Sequence, residues 1–225
     1  RPLLLLDSAL MYILGVGIAR YLGVIIDTGV FSQGLVWVLS LQLGVHFLYG
    51  YFAQPPAIEK KKDNDDTGQR LRREIPLWLG ITSLTITTSF TLVLLRSGVV
   101  DGAVYLVMGL LLLGSFISVV PPFCLVDSPY RVIILSIMLA NFIPALAYML
   151  QENELHRLLT MTTFPLTLLH FAMLLALEFQ GYAADLKQAR PTLLVRLGWP
   201  RGMRLINILI LSGYLLLGVA MLFGL

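Results

Sequence analysis

The chain has 225 residues, 57% of them hydrophobic, and 16 Lys+Arg against 13 Asp+Glu give it a formal net charge of +3. Charged residues make up only 13%, about half the share of an ordinary soluble domain, which excludes a conventional soluble fold and intrinsic disorder alike. The lone cysteine, Cys124, excludes an internal disulfide framework.

In chain order, seven runs are long and apolar enough to cross the hydrocarbon layer, which takes about 20 residues of helix. They are 3–26, 35–52, 75–95, 103–120, 132–150, 158–179 and 205–225. The first is too long for a cleaved signal peptide. The runs are unbroken rather than alternating, which excludes the strands of a membrane barrel. The sequence therefore predicts an all-α polytopic membrane helix bundle. About seven transmembrane helices surround a central cavity within a single transmembrane domain, 1–225.

Charge sets the expected orientation. Thirteen of the 16 basic residues fall on the side of Arg1: Arg1 itself, six in the loop 54–74, Arg131, and Lys187, Arg190, Arg196, Arg201 and Arg204. Arg20, Arg96 and Arg157 fall on the other side. The positive-inside rule makes the Arg1 side cytoplasmic, with the N-terminus and the loops 54–74 and 180–204. Basic residues spread between apolar runs point to membrane lipid, not nucleic acid, as the partner. The loop 54–74 carries Lys60–Lys62, then Asp63, Asp65 and Asp66, then Arg70, Arg72 and Arg73. It reads as a juxtamembrane segment touching anionic headgroups.

Polar groups within the spans are costly and therefore informative. Gln42, His46 and Tyr49 share one face of the second span at i, i+4 and i+7. His170, Glu178 and Asp185 run down the sixth. If those spans are neighbours, His46, His170 and Glu178 frame one polar cavity; the alternative is that each is satisfied by a bond between helices. Seven Ser/Thr between Thr82 and Thr91 in the third span read as helix-to-helix glue. Gly15, Ala19 and Gly23 read as a packing stripe, and Asn141 with Pro144 as a kink in the fifth span.

Two stretches resemble a known family. One is Leu41-Gln42-Leu43-Gly44-Val45-His46-Phe47-Leu48-Tyr49-Gly50-Tyr51-Phe52-Ala53. The other runs from Glu178-Phe179-Gln180-Gly181-Tyr182-Ala183-Ala184-Asp185-Leu186-Lys187 to Arg190-Pro191-Thr192-Leu193-Leu194-Val195-Arg196-Leu197-Gly198. Together with Arg1-Pro2 and Val119-Val120-Pro121-Pro122 they resemble the UbiA superfamily of intramembrane prenyltransferases, in the branch similar to 1,4-dihydroxy-2-naphthoate polyprenyltransferase. The likeness runs over essentially the whole chain. It implies a bundle of nine spans and transfer of a polyprenyl group from a prenyl diphosphate to an aromatic acceptor. Two Asp-rich motifs, ending the second and sixth spans, would hold Mg²⁺ on the diphosphate leaving group.

Carried onto this chain, the resemblance makes Asp185 the metal ligand and, with Lys187, the catalytic pair. Lys187, Arg190 and Arg196 would meet phosphate, and His46, Tyr49, Tyr51 and Tyr182 would line the substrate. The motifs depart from the family pattern. Tyr49-Gly50-Tyr51-Phe52-Ala53 stands where the branch reads Asn-Asp-Tyr-Phe-Asp, and Gly181-Tyr182-Ala183-Ala184-Asp185 where it reads Asp-Tyr-Glu-x-Asp. One carboxylate does not hold two magnesium ions in the usual way. Two functions therefore stand open: a prenyltransferase with a rebuilt site, and a non-catalytic relative that binds an isoprenoid or quinone or scaffolds a partner. A small transporter ranks below both, for want of paired charges inside the spans.

Overall fold

The structure is a computed structural model that describes residues 2–52, 66–98, 100–120, 128–187 and 191–223. Among the described residues every regular element is helical, and seven stretches have the length and apolarity of membrane spans. The expected polytopic all-α bundle is therefore the fold.

The first predicted run, 3–26, divides. Helix α1 (Pro2–Tyr21) closes where Gly23 takes φ 89°, a left-handed conformation that glycine adopts without penalty. Helix α2 (Thr28–Phe52) starts well before the expected position 35 because Asp27 caps it. Asp27 Oδ1 accepts from the backbone N–H of Gly29 at 2.7 Å and of Val30 at 3.1 Å, satisfying donors that a helix start leaves orphaned. Gly23 thus belongs to a turn, and the packing stripe reduces to Gly15 and Ala19.

Helix α3 (Asp66–Ser97) lies along α2. Small residues set their spacing: Gly44 faces Leu84, and Gly80 faces Leu48. The hydroxyls of α3 mostly bond back to their own helix, as Thr85 does to the Ile81 carbonyl and Thr88 to the Leu84 carbonyl. Two reach across to α2. Trp37 Nε1–H donates to Thr91 Oγ1 at 2.8 Å, and Ser40 and Thr87 share a 2.8 Å hydrogen bond. Trp37 is fully buried, so its N–H has no other recourse. Thr91→Val, nearly isosteric, is expected to destabilise the protein by about 1 kcal/mol, seen as a modest loss of thermal stability in detergent.

Helix α4 (Gly102–Val119) also packs on α2. The fifth span is built in three pieces: α5 (Arg131–Ile137), a π-helical turn over Met138–Phe142, and α6 (Ile143–Glu152). Pro144 explains the break. It has no N–H for the carbonyl of Ala140, and the ladder shifts so that the Ile143 N–H bonds to the Met138 carbonyl. The expected distortion near Asn141 and Pro144 is this wide turn. The central core lies here, where Tyr12, Trp37, Val104, Met108, Leu139 and Leu146 interlock.

Helix α7 (Arg157–Glu178) packs against α10 (Trp199–Leu222), with Gly213 placed against Leu169 and the Pro165 carbonyl. Two short helices, α8 (Tyr182–Lys187) and α9 (Leu193–Leu197), join them at the end of the bundle where α2 and α4 also finish. Large apolar side chains stay exposed along α3 and α10, Leu92, Leu211 and Leu215 among them. On a span this is the surface that lipid covers.

Candidate binding site at one end of the bundle

Four helix ends meet on the side of the bundle where α1 begins. The first turn of α1 contributes Leu4 and Leu5, and the last part of α2 contributes Gln42, Val45, His46 and Tyr49. The end of α4 brings Ser118 and Val119, and the start of α5 brings Arg131, Ile134 and Leu135. They enclose a cavity of about 130 Å³. The α2 residues reach it together because i, i+3, i+4 and i+7 fall on one helical face. Hydrophobic walls with a few convergent polar groups are the usual make-up of a small-molecule site.

Arg131 stands between this cavity and the end of α7. Its charge acts on the Glu178 carboxylate, which also has Asp185 and the Leu194 backbone N–H as neighbours. Glu178 Oε2 is buried with no hydrogen-bond partner among the described residues. Arg131 thus borders the cavity and lies close enough to the end of α7 for its charge to act on Glu178.

A second polar pair lies deeper. His170 Nε2 of α7 sits 2.9 Å from Asp7 Oδ2 of α1, with the side chains 3% and 13% exposed. The two atoms lie close but do not meet hydrogen-bond geometry. Asp7 follows Leu4 by three residues, one helical turn further into the bundle on the same side of α1. This pair adds an imidazole–carboxylate contact between spans that the sequence reading does not name. It also corrects the expected grouping of His46, His170 and Glu178 in one cavity. Helices α2 and α7 make no substantial contact, and α1 packs against both. His46 lines the cavity, His170 pairs with Asp7, and Glu178 faces Arg131.

The other expected site residues scatter. Tyr49 lines the cavity beside His46. Tyr51 makes an edge contact with Phe52, ring centres 5.2 Å apart. Tyr182 lies edge-on to Trp199 at 5.5 Å. Asp185, on α8, is half-buried next to Gly181. Lys187 and Arg196 are exposed. Arg190 lies outside the described residues, as do Ala53, Lys60–Lys62, Asp63, Asp65, Pro121, Pro122 and Cys124.

These positions do not fit the magnesium cradle that the resemblance implies. Among the described residues no three His, Cys, Asp or Glu side chains converge as metal ligands. The charge of Arg131 acts on Glu178, an acid that also feels the charge of Asp185, and a positive neighbour disfavours a second cation there. Two residues of the site escaped the sequence reading. Arg131 was counted only as a topological charge. Asp7 passed unnoticed, although a carboxylate inside a leucine-rich run is itself a signal. No model of a known protein family matches the chain, and no curated protein matches it either.

Proposed function

We propose that the protein is a membrane-embedded, non-catalytic binder of an isoprenoid amphiphile, whose polar head enters the cavity at Arg131. The observation that carries this reading is the composition of the cavity: one cation and the polar groups of Gln42, His46, Tyr49 and Ser118, set in a wall otherwise apolar. Arg131 suits an anionic or carbonyl-bearing head, because its planar fork donates to two acceptor oxygens at once. The positive-inside charge bias puts this end on the cytoplasmic side, where a water-borne head would enter. The poor fit to Mg²⁺ separates the reading from prenyl transfer.

The test is binding of radiolabelled geranylgeranyl diphosphate to purified protein in lipid nanodiscs. Saturable binding that survives EDTA is expected, with no product formed when Mg²⁺ and a dihydroxynaphthoate acceptor are supplied. Arg131→Gln is expected to weaken binding about tenfold or more, the value of one charge-assisted hydrogen bond. Binding that disappears on chelation, or prenyl transfer above a no-protein control, would overturn the reading in favour of a working transferase.

A further inference from the structure

Beside the cavity runs a longer hollow, open on the flank of the bundle. Helix α3 ends at Ser97 and α4 begins at Gly102, so the two are held together at that end. Elsewhere, among the described residues, they scarcely touch and both lean on α2. The gap is a groove of about 420 Å³, within the range of about 300–1,000 Å³ typical of ligand sites. Its floor is Val45 and Leu48 of α2, and its walls include Leu84 of α3 and Gly109, Leu113 and Phe116 of α4.

Three features decide what this groove takes. Val45 is a wall of both hollows, so the groove adjoins the cavity that holds Arg131. Its lining is mostly apolar: the hydroxyls in it are those of Thr88, already bonded to the Leu84 carbonyl at 2.9 Å, and Ser115. Gly109 leaves open space, because a Cβ built there meets nothing within 4 Å. Another hollow of about 270 Å³, beside Gly17 and Tyr21 on α1, shares no residue with the cavity.

We infer that the groove between α3 and α4 holds the hydrocarbon tail of the amphiphile whose head occupies the Arg131 cavity, the chain passing Val45. The inference rests on the binding reading above and adds the route of the tail. A chain anchored by its head at Arg131 has the groove at hand on the far side of Val45. Free lipid has no such anchor.

Geranylgeranyl diphosphate carrying a diazirine at the far end of its tail tests this, in nanodiscs of phosphatidylcholine, with cross-linked peptides read by mass spectrometry. Labelling is expected on α3 and α4 along the groove and is expected to fall when unlabelled geranylgeranyl diphosphate competes. Gly109→Leu fills the groove and favours helix. It is expected to weaken binding about tenfold or more, as two or more methylenes lose their burial. Gly17→Leu, which fills the unconnected hollow, should bind as the wild type does. If the wild type binds and Arg131→Gln weakens it, but Gly109→Leu binds normally and the label lands elsewhere, the tail route is overturned while the binding reading stands. Groove labelling that the competitor leaves unchanged means ordinary lipid chains fill the groove, and also overturns the route. An absence of saturable binding in the wild type overturns both.

Discussion

Gly15→Val is expected to destabilise the protein by about 3 kcal/mol, the upper part of the range for overpacking a tight contact. A Cβ at Gly15 runs into the carbonyl oxygen of Pro144 and comes within 2.8 Å of the Ala147 Cβ. Backbone on one side and a methyl stub on the other leave no flexible side chain to give way. Helix α1 must move off α6, and Tyr12 and Val16 then lose their fit in the core. Gly17 supplies the control, since a Cβ there meets nothing within 4 Å. Gly17→Val should stay within about 0.5 kcal/mol of the wild type. Thermal unfolding of the two variants in the same detergent reads the difference directly. Equal losses would mean that α1 and α6 do not approach at Gly15.

His170→Leu is also expected to destabilise the protein, by about 1–3 kcal/mol, the range for leaving a buried polar group without its partner. It leaves the Asp7 carboxylate, 13% exposed, facing leucine. Asp7→Leu removes the other partner and is expected to destabilise the protein as well. The double variant Asp7→Leu/His170→Leu should recover much of the loss, because replacing both partners of a buried polar contact by apolar groups is often nearly neutral. Unfolding midpoints for all four proteins give the coupling between the two residues. Strictly additive losses would show that the 2.9 Å approach is coincidental.

The spans were legible because hydropathy over about 20 residues is a local property that burial in lipid demands of every helix. Element starts were less so. Asp27 looks like a loop residue until its carboxylate is seen capping α2, and only then does the helix extend back to Thr28. The site was half legible. His46 and Tyr49 share a face by helical periodicity alone, and both line the cavity. What faces them is a matter of which helices are neighbours, and no local pattern states that α1 packs on both α2 and α7. For the same reason Arg131, adjacent in sequence to nothing in either motif, was read for its sign alone. Asp7 and His170 sit in different spans at opposite ends of the chain, so neither announces the other.

The wide turn at Met138–Phe142 has a consequence for how the fifth span can change. An inserted residue rotates everything beyond it by about 100° around a helix axis. Arg131 and Leu135 line the cavity while Ala147 sits against Gly15, because the turn sets the phase of one segment relative to the other. Shortening it by a single residue would swing one half off its target, so the length of this turn is tuned even where its side chains are free to vary.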